Sequence, residues 1–167
     1  MFARRIWSAS LAATSVTAAC ISITATAEAA GPQWNGRYTL VTYASQKNGS
    51  SMAKLQPESD FSSQYTLATD CSSGLCVATV VDGPAPSNPT IPQPTRYTWD
   101  GSRWVFAYNW QWQCFRGDGL PAEWAPARSQ VYYTPAQGGS LAGTWRTDIL
   151  GGTCRGFVVM PVAAYPA

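Results

Sequence analysis

From Trp104 to Cys114 every even position holds an aromatic residue or cysteine: Trp104, Phe106, Tyr108, Trp110, Trp112 and Cys114. Odd positions 103, 109, 111 and 113 are Arg, Asn, Gln and Gln. Side chains change face at every residue only in an extended chain, so this run is a β-strand with one aromatic wall and one polar face. It is about twice the usual strand length of 5–6 residues, which predicts twist, a bulge or a bend, with a bend near Asn109 letting one strand serve both walls of a barrel or sandwich. Asp100-Gly101 or Gly101-Ser102 supplies a tight hairpin turn before it, and either register brings Tyr97 and Trp99 onto the same wall.

The N-terminal stretch is of another kind. Met1-Phe2-Ala3-Arg4-Arg5 is followed by a mostly apolar, uncharged run from Ile6 to Ala27 and then by Ala27-Glu28-Ala29. A basic start, an apolar middle and a small-x-small end make a secretory signal peptide over 1–29, cut after Ala29. Three other readings stand beside it. A retained anchor is disfavoured by Thr14, Ser15, Thr17, Ser22 and Thr24, which dilute the run. Lipidation of Cys20 lacks the branched aliphatic expected where Thr17 stands, and Ala3 and Trp7 flank Arg4-Arg5 poorly for the twin-arginine route. Removing the leader takes Cys20 with it and leaves Cys71, Cys76, Cys114 and Cys154, an even set suited to an oxidising compartment. Four cysteines allow three pairings; spacing favours Cys71–Cys76 across a turn and Cys114–Cys154 across the sheet.

What remains, 30–167, is the size of one secreted domain. It keeps nine Lys/Arg against eight Asp/Glu, having lost Arg4, Arg5 and Glu28, with no block of like charge. Nucleic acid as a partner would need a basic patch that this balance does not provide, and no transmembrane segment follows the leader. There is no histidine, so a metal site would need cysteines better used as disulfides, and no cofactor motif is present. The expected metal and cofactor are none.

Along the domain, Trp34 to Tyr43 reads as the first strand after a turn signal, and Gln46 to Asp60 as a loop with at most a short strand near Met52 to Leu55. Gln64–Thr69 and Leu75–Val81 form a hairpin around Gly74. Gly83 to Pro94 carries five prolines, which lock φ and remove backbone donors, so it is an extended connector: a stiff loop across one end of the fold or a polyproline docking arm. Phe115 to Pro126 reads as a loop holding Trp124. Ser129–Thr134, Leu141–Ile149 and Phe157–Val162 are the remaining strands. Gly recurs shortly before an aromatic at Trp34–Tyr38, Trp99–Trp104 and Gly143–Trp145, but at unequal spacings that exclude a repeat array. About eight short strands without helical periodicity predict an all-β fold, a single antiparallel barrel or sandwich.

Chemistry is harder to find. Ser51-Met52-Ala53-Lys54 has the Ser-x-x-Lys spacing of penicillin-recognising enzymes without their partner motifs, and histidine-dependent triads are excluded. Asp60, Asp70, Asp82, Asp100, Asp118, Glu123 and Asp148 could supply a glycosidase pair, although most sit beside turn formers. No catalytic residue is assigned. The aromatic excess is the better clue: Trp99, Trp104, Trp110, Trp112 and Trp124 fall close together. Trp104 and Phe106 read as core. Trp110, Trp112 and Trp124, farther from the turn, are candidate ligand-binding residues that could stack on a sugar or an acyl chain, with Arg116 and Arg128 to orient it.

Tyr97-Thr98-Trp99-Asp100-Gly101, the run from Tyr108 to Cys114, Gly143 to Ile149 and Met160-Pro161-Val162 together resemble small exported proteins of mycobacteria and related actinobacteria, a group that carries no assigned activity. The resemblance spans the domain and implies export, without catalytic residues to transfer. A second likeness is to lipocalin and avidin-type barrels, in which Gly-x-Trp opens the first strand; here Gly36-Arg37-Tyr38 stands in that place, and Gly143-Thr144-Trp145 comes late. The expectation is a secreted or cell-envelope β protein that acts by binding, its partner a cell-wall glycan, a lipid or another exported protein. The alternatives are a carboxylate-dependent glycan hydrolase and a small-molecule or lipid carrier of calycin type. An open apolar barrel mouth favours the carrier; a flat exposed strip of Trp110, Trp112 and Trp124 favours glycan or protein recognition.

Overall fold

The computed structural model describes residues 33–167. The expected leader over 1–29, with Cys20 and its cleavage site, lies outside the described residues. The strands are β1 (Gly36–Thr42), β2 (Asn48–Gly49), β3 (Phe61–Asp70), β4 (Val77–Asp82), β5 (Arg96–Trp99), β6 (Trp104–Cys114), β7 (Glu123–Pro135), β8 (Leu141–Ile149) and β9 (Gly156–Pro166). Apart from the two-residue β2, which pairs with β9, each strand pairs antiparallel with the next long strand in the chain, and β9 returns to β1 through Tyr38↔Pro166 to Thr42↔Val162. The result is a closed, eight-stranded, up-and-down barrel, the arrangement that leaves no sheet edge at the seam. Of the two expected architectures, the barrel is the one formed.

The alternation that organises the sequence carries through the whole of β6, with Trp104, Tyr108 and Cys114 buried and Ala107, Asn109, Gln111 and Gln113 exposed. No bulge interrupts it at Asn109. β6 pairs with β7 in unbroken register from Trp104↔Tyr133 to Cys114↔Glu123, because the tilted strands of a barrel are long and coil smoothly. Register shifts instead between Thr66 and Leu67 of β3, opposite β4. Opposite the bulky β6 residues Tyr108, Trp110 and Trp112, β7 presents Ser129, Ala127 and Ala125, so small side chains make room for large ones across the pair. At the β5–β6 turn Gly101 takes φ +101° and the Asp100 amide donates to the Arg103 carbonyl at 3.0 Å, which selects Gly101-Ser102 as the two central residues.

Other segments depart from expectation. Met52–Leu55 is a 3₁₀ turn, not a strand: Ser51 Oγ accepts from the Ala53 amide at 3.1 Å and donates to the Cys154 carbonyl, which winds the segment tightly. The short strand lies at Asn48–Gly49, where Gly49 runs so close to the Phe157 carbonyl that a Cβ would sit 2.0 Å from its oxygen. The segment read as a loop from Phe115 to Pro126 joins β7 from Glu123 onward, Trp124 included. Pro126 is tolerated there because its polar groups face β8 just beyond the last β7–β8 pair; its carbonyl accepts from the Leu150 amide at 2.8 Å.

Both ends are fastened. At one, Trp34 is 1% exposed and packs its ring on Tyr38, Tyr97, Trp104 and Tyr133, plugging the barrel beneath the Cys71–Cys76 hairpin end. At the other, Ala44 and Ala53 from the 43–60 segment pack with Cys114, Cys154, Ile149 and Met160, so this segment covers part of the opening beside the Cys114–Cys154 disulfide. Both disulfides are the pairs that spacing favours.

Candidate functional site

The space between those two fastenings is not filled. A cavity of about 900 Å³ runs inside the barrel, lined by residues of all eight long strands and open at the end opposite Trp34. That volume lies within the range of pockets that bury small organic ligands. Its walls come from the inward positions of the strands: Leu40 of β1, Tyr65 of β3, Val80 of β4, Tyr97 of β5, Phe106, Tyr108, Trp110 and Trp112 of β6, Val131 and Tyr133 of β7, Trp145 of β8 and Met160 of β9. The period-2 pattern of each strand is therefore what makes the interior apolar.

The mouth is shaped by backbone chemistry. β5 pairs with β6 only at Thr98↔Val105 and Trp99↔Trp104, so the upper half of β6 has no strand on that side. The proline-rich 83–95 segment lies there instead. Asn88 Nδ2 donates to the Gln111 carbonyl at 2.9 Å, and the Gln111 amide donates to Thr90 Oγ1 at 3.0 Å. Side chains thus satisfy the edge that prolines, lacking donors, could not pair as a ladder. Pro84 to Pro89 line the mouth, and across it stand Gln56 to Glu58 and the exposed apolar residues Phe61, Phe115 and Trp124.

The residues singled out from sequence are divided by the barrel wall. Trp110 and Trp112 are half-buried on the cavity side, their rings 5.4 Å apart, with Trp110 Nε1 donating to Ser129 Oγ at 2.8 Å. Ser129 Oγ is in turn 2.7 Å from Thr147 Oγ1, a buried polar relay that fixes the Trp110 ring. Trp124 is 52% exposed at the rim. Arg116 belongs to the 115–122 loop, and Arg128 projects from the outer face of β7 between Asn109 and Asp148. The three tryptophans do not form one flat strip.

The polar groups of the lining are hydroxyls, side-chain amides and indole N–H groups, of which Trp112 Nε1 and Trp145 Nε1 are buried without a partner among the described residues. Among the described residues Glu58 is the only carboxylate on the cavity lining, and it is bound to Lys47 Nζ at 2.8 Å. The remaining carboxylates serve turns and the outer surface: Asp60 accepts from the Ser45 amide, Asp70 from Ser72 and Asp148 from Arg146. The Thr153 amide and hydroxyl bonds hold Glu123 below its ordinary range. Asp100 is held down to about 2, first by the Arg103 guanidinium and then by the Ser102 amide. Lys54 donates to the Gly49 carbonyl rather than approaching Ser51, which leaves the Ser-x-x-Lys spacing without its chemistry.

Tyr97 and Tyr108 stand on the aromatic wall that the alternation predicts. Tyr97 and Tyr133 form the cavity floor directly above Trp34, with Tyr65 and Tyr108 near them. Burial pushes Tyr108 up to about 12 and raises Tyr97 and Tyr133 well above the ordinary tyrosine value. The alternation in β5 and β6 was the signal for two of these four. Which member of Tyr132-Tyr133 faces inward depends on register alone.

No family model matches this chain, and no curated protein matches it. Among solved structures it is similar to the monomer form of the M. tuberculosis PknI sensor domain, with a TM-score of 0.58 and 15% identity, covering 83% of this chain and 90% of that one. At that identity the likeness is one of fold.

Proposed function

We propose that the protein is an exported, non-enzymatic binding protein of the cell envelope or extracellular space, and that its ligand is an apolar small molecule or lipid held inside the barrel. The observation that carries this reading is the cavity of about 900 Å³, walled largely by aromatic and aliphatic side chains and open at one end. Trp110 and Trp112 would line the ligand's path, and Trp124 would meet it at the rim. Arg128, on the outer face, is left for surface contacts. Two disulfides support a location outside the cytoplasm. The fold likeness to a sensor domain agrees with recognition as the task.

Against hydrolysis stands the lysine-bound Glu58, the one carboxylate that the described residues bring to the cavity, since glycoside hydrolysis needs two carboxyl groups about 5–9 Å apart. The decisive experiment titrates the purified protein with N-phenyl-1-naphthylamine, a neutral dye that fluoresces in apolar surroundings. Saturable binding at one site per barrel, abolished in a folded Val131→Trp variant that fills the cavity, is expected. Absence of binding, or binding that the filled barrel retains, refutes it. Mass analysis of the exported chain should find an N-terminus at Ala30 and no free thiol.

A further inference from the structure

Resting on the reading of the barrel as a ligand cavity, we propose that the ligand enters with a neutral hydrogen-bonding end first, a hydroxyl or carbonyl, which the hydroxyls of Tyr97 and Tyr133 hold at the cavity floor. Tyr97 is 6% exposed and Tyr133 3%, both line the cavity, and among the described residues neither hydroxyl has a protein hydrogen-bond partner or is sealed away from the cavity, unlike the unpartnered Nε1 atoms of Trp112 and Trp145. A hydroxyl that opens into a cavity offers a donor and an acceptor that a phenylalanine in the same place would lack. Phe106 lines the same barrel one inward position beyond Trp104, so phenyl rings are tolerated in these walls. The hydroxyls at the floor are thus a hydrogen-bonding point within reach of a bound polar group.

The charge of that group follows from its surroundings. Among the described residues the walls below the mouth present no Lys, Arg, Asp or Glu; Glu58, at the rim, is already paired with Lys47. An ionised carboxylate driven to the floor would be desolvated with no counter-charge, whereas an alcohol or carbonyl loses far less and regains it from the two phenols. Above the floor, Phe106, Val80, Leu40 and Met160 offer apolar surface beside the N–H groups of Trp112 and Trp145, which fits a mainly hydrocarbon body trailing toward the mouth.

The test measures displacement of N-phenyl-1-naphthylamine by 1-decanol, decane and decanoate at pH 8, in the wild type and in Tyr97→Phe/Tyr133→Phe, with Tyr132→Phe on the outer face as control. Decanol should bind about tenfold more weakly to the double variant, the loss of one to two net hydrogen bonds. Decane should be unaffected, and the control should match the wild type for all three. Decanol affinity unchanged in the double variant, or decanoate bound as tightly as decanol in the wild type, overturns the inference. If dye and decane bind while decanol ignores the phenols, only the assignment of the buried end fails. If the dye never binds, the cavity reading itself falls.

Discussion

Trp34 and Trp124 are the same residue type in opposite settings, and replacing each by alanine measures whether the barrel is closed as described. Trp34 is 1% exposed, with ring centroids 4.9 Å from Tyr97, 5.1 Å from Tyr133, 6.0 Å from Tyr38 and 6.2 Å from Trp104. Its Nε1–H has no partner among the described residues, so the alanine loses no side-chain hydrogen bond. Its backbone bonds, the amide to Thr69 Oγ1 at 2.9 Å and Thr69 Oγ1 to its carbonyl at 3.0 Å, survive the change. What is lost is apolar burial and ring contact. Strands anchored on both sides hold Tyr97 and Tyr133 in place, so the gap does not collapse, and the cost should reach about 4 kcal/mol, in the range measured for large aromatic truncations. For a domain of this size that lowers Tm by roughly 10–15 °C. Trp124→Ala, at 52% exposure, should cost no more than about 0.5 kcal/mol. Urea unfolding followed by circular dichroism gives both values on one scale. Two variants within about 1 kcal/mol of each other would mean that Trp34 is not the plug.

Replacing Cys114 and Cys154 by serine should destabilise by roughly 4 kcal/mol and replacing Cys71 and Cys76 by roughly 2, because the first pair closes the longer loop; equal losses in chemical denaturation would contradict that ordering. Asp100→Asn should be less stable than the wild type at pH 7. Since the Asp100 carboxyl is held down to about 2, the wild-type advantage is present above the unfolded value near 3.8 and disappears as pH falls toward 2, which unfolding midpoints at pH 7, 4 and 2 would follow. Tyr108, pushed up to about 12, and Tyr97 and Tyr133 are raised groups, so their contribution is complete below pH 10 and is lost as pH climbs through their folded values; absorbance at 295 nm should show these phenols ionising only as the barrel opens. Asn88→Ala with Thr90→Val removes both side-chain bonds to Gln111 and should change stability by less than about 1 kcal/mol while speeding dye release in stopped flow; an unchanged release rate would detach the proline-rich segment from the mouth.

How much of this was legible depends on the range over which each feature is encoded. The face of β6 is written in its own residues, as are the Gly101 turn and the Cys71–Cys76 clasp, because each follows from neighbours a few positions apart. Closure is not. Nothing in Tyr38–Thr42 names Val162–Pro166 as its partner, and the choice between barrel and sandwich rests on that pairing. Met52–Leu55 misled because Ser51 gains its second bond from Cys154, about a hundred residues away. Trp124 looked like a loop residue because Pro126 and two glycines surround it, and only the end of β8 shows why a proline fits. The candidate site was half legible for the same reason: Trp110 and Trp112 follow from alternation, but the floor gathers tyrosines from β3, β5, β6 and β7, and only the closed wall brings them together.

A barrel of this size is ordinarily filled by its own side chains, and this chain has the rings to do it. Its largest buried ones are concentrated below the cavity floor, where Trp34 meets Trp104, Tyr97 and Tyr133. Compact alanines occupy the covered part of the other end, where Ala44, Ala53 and Ala125 pack around the Cys114–Cys154 link. Midway, the β7 positions opposite Tyr108 and Trp110 are Ser129 and Ala127, so the wall recedes where the rings are largest. An empty middle forgoes dispersion contacts and so must be compensated elsewhere. The plug and the two covalent links sit at the ends, outside the hollow stretch. Stability is therefore supplied at the ends of the barrel, which leaves its middle free for a guest.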